Sequence, residues 1–415
     1  MRKNFFLTIF VFIFIISNLS GGSIFSPLGF VEENFGVDNF SAGMGQTGIC
    51  SLNRRNLSAV NPALNATVVN SNFSTKVDFG FTTYEANSED DFETKTSSFP
   101  YVKVIVPLSK KTTMGFKFFD KYHLGLETGV KDSIANFGNI DFDNSLEGEI
   151  NQFGVSFAKE IRDIALGFEV NFNYGYTNDE SKIDFENSDL ADYSEYFENL
   201  MNGMNFTFGF AMPISKFSVG GFFQTKTKLN SDNDRTIEFV NDPDLDYVSN
   251  TTSTYELPAE IGLGFGAEIN DQFYFETNYR RNFWSNINNP GPNTKDSQFI
   301  SAGLSYFPYN KKILIPIRFG GYLKKLPYEM NDKPIYEKTM TLGFDVPLKF
   351  KNKGSINLVF SYGSRGNISD NGIADKIFGI SVGFSSFDRW INPKKYKKNK
   401  EIPQADPAYI SNTSD

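Results

Sequence analysis

From residue 73 to the last aromatic positions the chain repeats one pattern: bulky apolar residues alternate with small or polar ones, and polar turns interrupt the alternation. Ile377 to Phe387 shows it most clearly, with Phe378, Ile380, Val382 and Phe384 set against Gly379, Ser381 and Gly383. A period of two is that of a β-strand. A soluble sandwich would place charged residues opposite its apolar row. Here the second row is small and weakly polar, as where one face meets lipid and the other a lumen. Further rows are Ile164, Leu166, Phe168, Val170, Phe172, Tyr174 and Tyr176, then Met204, Phe206, Phe208, Phe210 and Met212, and Met340, Leu342, Phe344, Val346 and Leu348. A one-residue slip would turn each row inward, so register is strongly specified.

Fourteen such segments can be read, near 73–85, 94–107, 111–125, 148–159, 162–177, 202–213, 215–229, 253–269, 271–284, 296–308, 311–324, 336–350, 353–364 and 374–387. Short polar turns follow every even segment but the last, around Ser109–Lys111, Lys159–Arg162, Ile214–Lys216, Asn270–Asp271, Tyr309–Lys311 and Lys351–Lys353, whereas the other connections are mostly longer. Outer-membrane barrels have short periplasmic turns and long outer loops, and this parity puts both ends of the barrel at the periplasm. A secreted sandwich or propeller needs no such regularity. The reading is an all-β, 14-stranded antiparallel transmembrane β-barrel. Its expected divisions are a signal peptide at 1–22, an N-terminal plug at 23–72, the barrel at 73–390 and a disordered basic periplasmic tail at 391–415.

The leader supports this. Arg2 and Lys3 precede an apolar run from Phe5 to Ile16, and Ser20 to Gly22 supply small residues for cleavage. About a dozen apolar residues fall short of the roughly 20 that a spanning helix needs. Cys50, the lone cysteine, lies far beyond that run, which excludes a lipoprotein signal here, a disulfide framework and a multi-cysteine metal site. Loss of Arg2 and Lys3 takes the net charge from −9 to −11, so nucleic acid is not an expected partner. Mean hydropathy is negative at −0.33, yet 16% of residues are aromatic, a combination suited to a barrel whose alternate residues face lipid. The expected location is the bacterial outer membrane, with outer-membrane lipid as a partner.

A barrel of this size lies between small packed barrels and open porins, so its lumen needs a plug or a ligand. Strand parity turns Gly262, Gly264, Gly303, Gly379 and Gly383 inward, together with Glu169, Glu276, Arg280 and Arg318. Glycine in a strand marks either close approach of another backbone or a bend that helps closure. Arg318 has two readings, recognition of a carboxylate ligand or pairing with a glutamate across the lumen.

The candidate plug contains Gly43-Met44-Gly45 and, some fifteen residues later, Ala59-Val60-Asn61-Pro62-Ala63-Leu64. These motifs resemble the N-terminal hatch of the long-chain fatty acid transporter (FadL-like) family of outer-membrane proteins. That resemblance implies a fourteen-stranded barrel with the hatch in its lumen, and gating roles for Gly43, Met44, Gly45, Asn61, Pro62 and Ala63. By itself Asn61-Pro62-Ala63 makes a rigid corner, since proline fixes φ and asparagine bonds nearby backbone. The basic tail departs from the family's habit of ending at the last strand.

Leu190, Tyr193, Phe197 and Leu200 fall at helical spacing with acidic residues between, and predict a short amphipathic helix after strand 5. By the resemblance it would help form a capture groove; packing on the barrel rim is the alternative. Strand 3 loses alternation at Asp120-Lys121-Tyr122-His123, which reads first as the strand leaving the membrane. The FadL-like family has an inward kink at this strand that opens a lateral door. A single histidine, His123, with no positioned serine nearby supplies no recognisable catalytic site, so no enzyme activity, cofactor or metal is expected. The expected function is passive entry of hydrophobic small molecules, such as long-chain fatty acids, through a hatch-gated barrel. Two alternatives stand beside it: a PorV-like accessory barrel of a protein secretion system, whose barrels share these motifs, and a structural porin. The tail offers a surface for a periplasmic partner.

Overall fold

The computed structural model describes residues 22–51, 58–86, 92–134, 138–186, 190–240, 243–289, 293–308, 315–348 and 354–388. The tail and all but the last residue of the expected leader lie outside these, as do the turns expected at 309–311 and 351–353. The barrel strands are β1 (Ser71–Ala86), β2 (Phe92–Pro107), β3 (Thr112–Ile134), β4 (Gly138–Ile161), β5 (Ile164–Phe185) and β6 (Tyr193–Ile214). Two strands follow in halves, β7 (Phe217–Gln224 and Thr227–Phe239) and β8 (Tyr247–Leu257 and Glu260–Asn270). Then come β9 (Phe273–Asn282), β10 (Ser297–Tyr306), β11 (Ile317–Met330), β12 (Lys333–Pro347), β13 (Gly354–Gly366) and β14 (Ile373–Asp388). Pro258, which has no N–H to give to a ladder, stands at the break in β8.

Each strand pairs antiparallel with its neighbour in sequence, and β14 pairs with β1 from Ile373–Ala86 to Asp388–Ser71. The sheet therefore closes into a 14-stranded antiparallel barrel. Closure is what permits a sheet to stand in lipid, where an unpaired N–H or C=O has no water to turn to. The two faces separate as the alternation requires. Along β6, Phe206, Phe208 and Phe210 are 40%, 50% and 42% exposed, while Thr207 between them and Asn205 just before them are buried. Such rows of exposed phenylalanine are a lipid contact, and the protein is an outer-membrane barrel. No helix among the described residues is long and apolar enough to cross a membrane.

The strands from β3 to β8 exceed the expected lengths. The fourth, expected over 148–159, begins at Gly138, and the third runs on to Ile134. At about 3.3 Å per residue β3 follows a path of about 75 Å, more than twice that of β9. This side of the wall therefore stands well above the membrane on the long-loop end. The helix expected around Leu190, Tyr193, Phe197 and Leu200 is absent: Tyr193, Phe197 and Leu200 belong to β6, and Leu190 lies in the connection before it. Tyr193 pairs with Ile183 and Phe239, and Phe197 with Asp179 and Arg235. Backbone pairing on both sides outweighs a weak helical spacing in a segment rich in aromatic residues, which favour strands.

Phe208→Arg, at the centre of the lipid-facing row, is expected to destabilise the barrel by about 2–4 kcal/mol. Unfolding in urea from lipid vesicles measures this, and Asn202→Arg, at the outer margin of the belt, should cost far less.

Candidate functional site

Residues 22–51 and 58–68 pack against the inward faces of strands around the barrel. A short helix α1 (Asn39–Ala42) is capped by Asp38, which accepts from the Ser41 N–H at 3.1 Å. Asn39 donates to the Asn357 carbonyl of β13 and its oxygen accepts from Ser381 of β14 at 2.7 Å. Gly43 follows the helix and lies directly against Gly343 of β12, so neither position has room for a side chain. Met44 is fully buried beside Phe40, Tyr274 and Phe307. Its backbone fills the space that Cβ atoms on Gly303 and Gly320 would need. Gly45, at φ 73°, donates to Thr341 at 2.9 Å.

The Asn-Pro-Ala corner does three things at once. The Asn61 oxygen accepts from Ala63 N–H at 3.0 Å, and its amide donates to the Ile49 carbonyl at 2.8 Å and to the Phe210 carbonyl of β6 at 2.9 Å. Pro62 begins a 3-10 turn (Pro62–Thr67), and Ala63 packs with Ala158, Ala165 and Ala211 of the wall. Further round the wall Glu276 of β9 accepts from the backbone N–H groups of Gly48, Ile49 and Cys50 at 2.9, 3.0 and 3.3 Å. One carboxylate thus satisfies a whole turn of the plug. Burial pushes the neighbouring Cys50 thiol up, and Glu276 adds to the shift.

Several further charges in the lumen are paired. Lys117 meets Glu169 at 2.5 Å, Lys121 meets Glu260 at 3.2 Å, and Lys324 meets Glu33 of the plug at 3.3 Å. Arg365 of β13 binds Glu337, Asp375 and Glu32 of the plug. Burial pushes the Glu33 carboxyl up, but Lys324, Lys121 and Arg280 prevail and hold it below its usual range. Glu33, Phe35, Lys117, Lys121, Glu260 and Arg280 border a cavity of about 20 Å³, enough for one water. Towards the long-loop end the lumen turns apolar: Phe30 of the plug packs with Tyr122, Leu124, Ile150, Met201, Leu229, Leu257 and Trp284.

The wall has a seam beside that cluster. The ladder between β2 and β3 runs only from Pro107–Thr113 to Val102–Phe118. Above it β3 carries a bulge between Asp120 and Tyr122, and its free edge pairs with the plug instead, Glu32 against His123 and Glu33 against Tyr122. Asn34 N–H donates to the Lys121 carbonyl at 2.9 Å and Ser23 N–H to the Gly125 carbonyl at 3.1 Å. The lost alternation at Asp120–His123 is therefore a register shift that turns the edge of β3 to the plug, before the strand continues upward. It is not simply the strand leaving the membrane.

The model of a family described as BamG matches residues 1–397. The chain belongs to the BamG family. No curated protein matches it. Among solved structures the BamG-family barrel is similar to the toluene transporter TodX of Pseudomonas putida, with TM-score 0.62, 15% identity, and coverage of 87% of this chain and 100% of that one. It is also similar to a FadL homologue of Pseudomonas aeruginosa (0.62, 12%, 88% and 100%) and to the Ralstonia pickettii toluene transporter TbuX (0.59, 13%, 86% and 99%). The resemblance to FadL-like proteins thus holds for the fold.

In this BamG-family barrel the inward glycines divide into two groups. Gly264, Gly303 and Gly383 face Ile49, Met44 and Asn39 of the plug, whereas Gly262 and Gly379 face the wall side chains Phe222 and Ser361. Gly167, Gly209, Gly220 and Gly320 also abut the plug, and their place on the inward rows was the signal available for them. Arg318 forms a bidentate pair with Asp345 on the adjacent β12 and lies 4.8 Å from the Phe40 ring centre. Its partner is thus an aspartate one strand away, where a ligand or a glutamate across the lumen was expected.

Glu276→Leu strands three buried N–H groups, each worth about 1–3 kcal/mol. Hydrogen exchange across residues 44–51 is expected to accelerate by at least about 100-fold, against little change in strands β13 and β14. Glu276→Gln, which keeps an acceptor, should lie between.

Proposed function

We propose that this protein passively admits hydrophobic small molecules across the outer membrane, with residues 23–72 acting as the hatch and Gly43, Met44, Gly45, Asn61, Pro62 and Ala63 fixing its closed position. One observation carries the reading: the seam between β2 and β3 lies against an apolar cluster, and Tyr122 and Leu124 of β3 belong to both. A greasy molecule arriving from the membrane or the outer surface would meet apolar side chains there. Phe30 occupies that cluster from the hatch and packs 5.8 Å from Tyr122 and 6.0 Å from Tyr255 between ring centres. A ligand would take its place as the hatch moves. Toluene transport by TodX and TbuX supports this class of cargo, and long-chain fatty acids belong to the same class. Tyr193, Phe197 and Leu200 of β6, with Leu190 before it, remain candidates for first capture above the membrane.

A second reading, an accessory barrel that transports nothing, is favoured by the close fit of Gly43 and Met44 against the wall and by a cavity among the paired charges that holds about one water.

Hatch locking separates the two. On a Cys50→Ser background, Asn39→Cys with Ser381→Cys replaces a hydrogen-bonded pair by a disulfide between hatch and β14. In a bacterial host lacking its own hydrocarbon channels, uptake of radiolabelled toluene or oleate is expected to fall at least about tenfold when the lock is oxidised and to return on reduction. Uptake that never exceeds the empty host, together with co-purification of a stable protein assembly, would establish the accessory role.

A further inference from the structure

We propose that the seam recognises hydrophobic molecules through a hydrogen-bond donor at one end, an alcohol or an amine, and that Asp120 accepts it. The inference rests on the transport reading. Asp120 follows Phe118 on the outward row of β3, opposite Asn151 of β4, and the next outward rung pairs His123 with Glu149. Asn151 in turn pairs with Tyr174 of β5, which places Asp120 at the outer margin of the lipid-facing belt. The ladder to β2 has ended one rung below, so this carboxylate stands in the seam. It is only 7% exposed, and its Oδ1 has no hydrogen-bond partner. An ionisable group held at this depth without a full set of partners is costly, and such groups mark ligand paths.

The charges around it set the sign of the ligand. His123 is the base that acts most strongly on Asp120, and Glu149, Glu32 and Asp78 add negative charge. Of the nearby cations, Lys76 is engaged by Asp78 at 3.0 Å, and Lys121 turns into the lumen to Glu260. Arg365 holds Glu32. Asn151 spends its amide on Glu149 at 2.7 Å. An incoming carboxylate would meet acids in excess and no unengaged lysine or arginine among these groups. A hydroxyl or ammonium would meet an open acceptor. Among hydrophobic molecules the seam therefore favours neutral and cationic heads over the carboxylate of a fatty acid.

Three twelve-carbon diazirine probes that differ only in the head, an alcohol, an amine and a carboxylic acid, test this on the full chain in lipid nanodiscs. Label is read by mass spectrometry on peptides of β2 and β3. The alcohol and the amine are expected to label the seam at least about tenfold more than the acid, and Asp120→Leu to bring all three within about twofold. Asp120→Asn, which keeps an acceptor without the charge and fits the same space, should retain the alcohol and lose the amine's advantage. A heat-dependent gel shift reports folding of each variant, and Asp120→Asn decides alone if Asp120→Leu does not fold. Equal labelling by the acid, or ratios unmoved by folded variants, overturns the assignment while leaving transport intact. No seam labelling by any probe overturns both.

Discussion

The structure turns on the pairing of backbone groups that lipid cannot solvate. A barrel meets this demand by closing on itself, and β14 against β1 does so over the full length of both strands. Between β2 and β3 the wall-to-wall ladder lapses above Val102–Phe118, and there the N-terminal segment becomes the neighbour of β3. Its Ser23 and Asn34 N–H groups reach the Gly125 and Lys121 carbonyls, and Glu32 and Glu33 pair as a strand would. The plug is thus part of the wall's hydrogen bonding as well as the filling of its lumen. It cannot withdraw from β3 without baring an edge, so its position and the state of the seam are coupled through shared bonds.

Two devices hold the plug inside. Close backbone approach is the first, at Gly43 on Gly343 and Met44 on Gly303, where a wall without side chains lets main chain lie on main chain. The second is ionic. Replacing a buried pair by apolar residues is often neutral for stability, whereas removing one partner costs about 3–5 kcal/mol. What the pairs contribute here is position: Glu33 to Lys324 and Glu32 to Arg365 tie the same two residues that pair with β3 to β11 and β13, further round the wall. The strand-like segment is held between the seam and a cationic wall.

Strand number, closure and register were legible in the sequence because lipid on one face and a lumen on the other enforce a period of two through the whole belt. Where strands rise beyond the membrane that constraint relaxes, and Tyr193, Phe197 and Leu200 in β6 carried a helical spacing with no bearing on their structure. The glycine rows showed a face and not a neighbour. Gly303 and Gly379 read alike in sequence, yet one meets Met44 of the plug and the other Ser361 of β13. At Asp120–His123 a bulge and an exit from the membrane erase alternation in the same way, so only the pairing of Glu32 and Glu33 with the strand distinguishes them. The Arg318 partner was hidden for a related reason, since parity places Asp345 on the lumen face without saying which inward charge it joins.

The vertical order of the lumen bears on how a hydrophobic molecule would travel. Phe30, Tyr122, Leu124 and Trp284 form an apolar layer beside the seam. Beneath it, towards the short-turn end, lie the charged groups around Lys117, Lys121, Glu260 and Arg280, then the tight contact of Met44 and Asn61 with the wall. An apolar molecule gains by entering the first layer and nothing by crossing the second, where it would have to part paired charges. Diffusion straight through a static lumen is therefore the unfavourable route. Passage to the periplasm requires that the plug itself rearrange, and the groups that fix it to β3 on one side and to Lys324 and Arg365 on the other are the ones whose strength sets how often that happens.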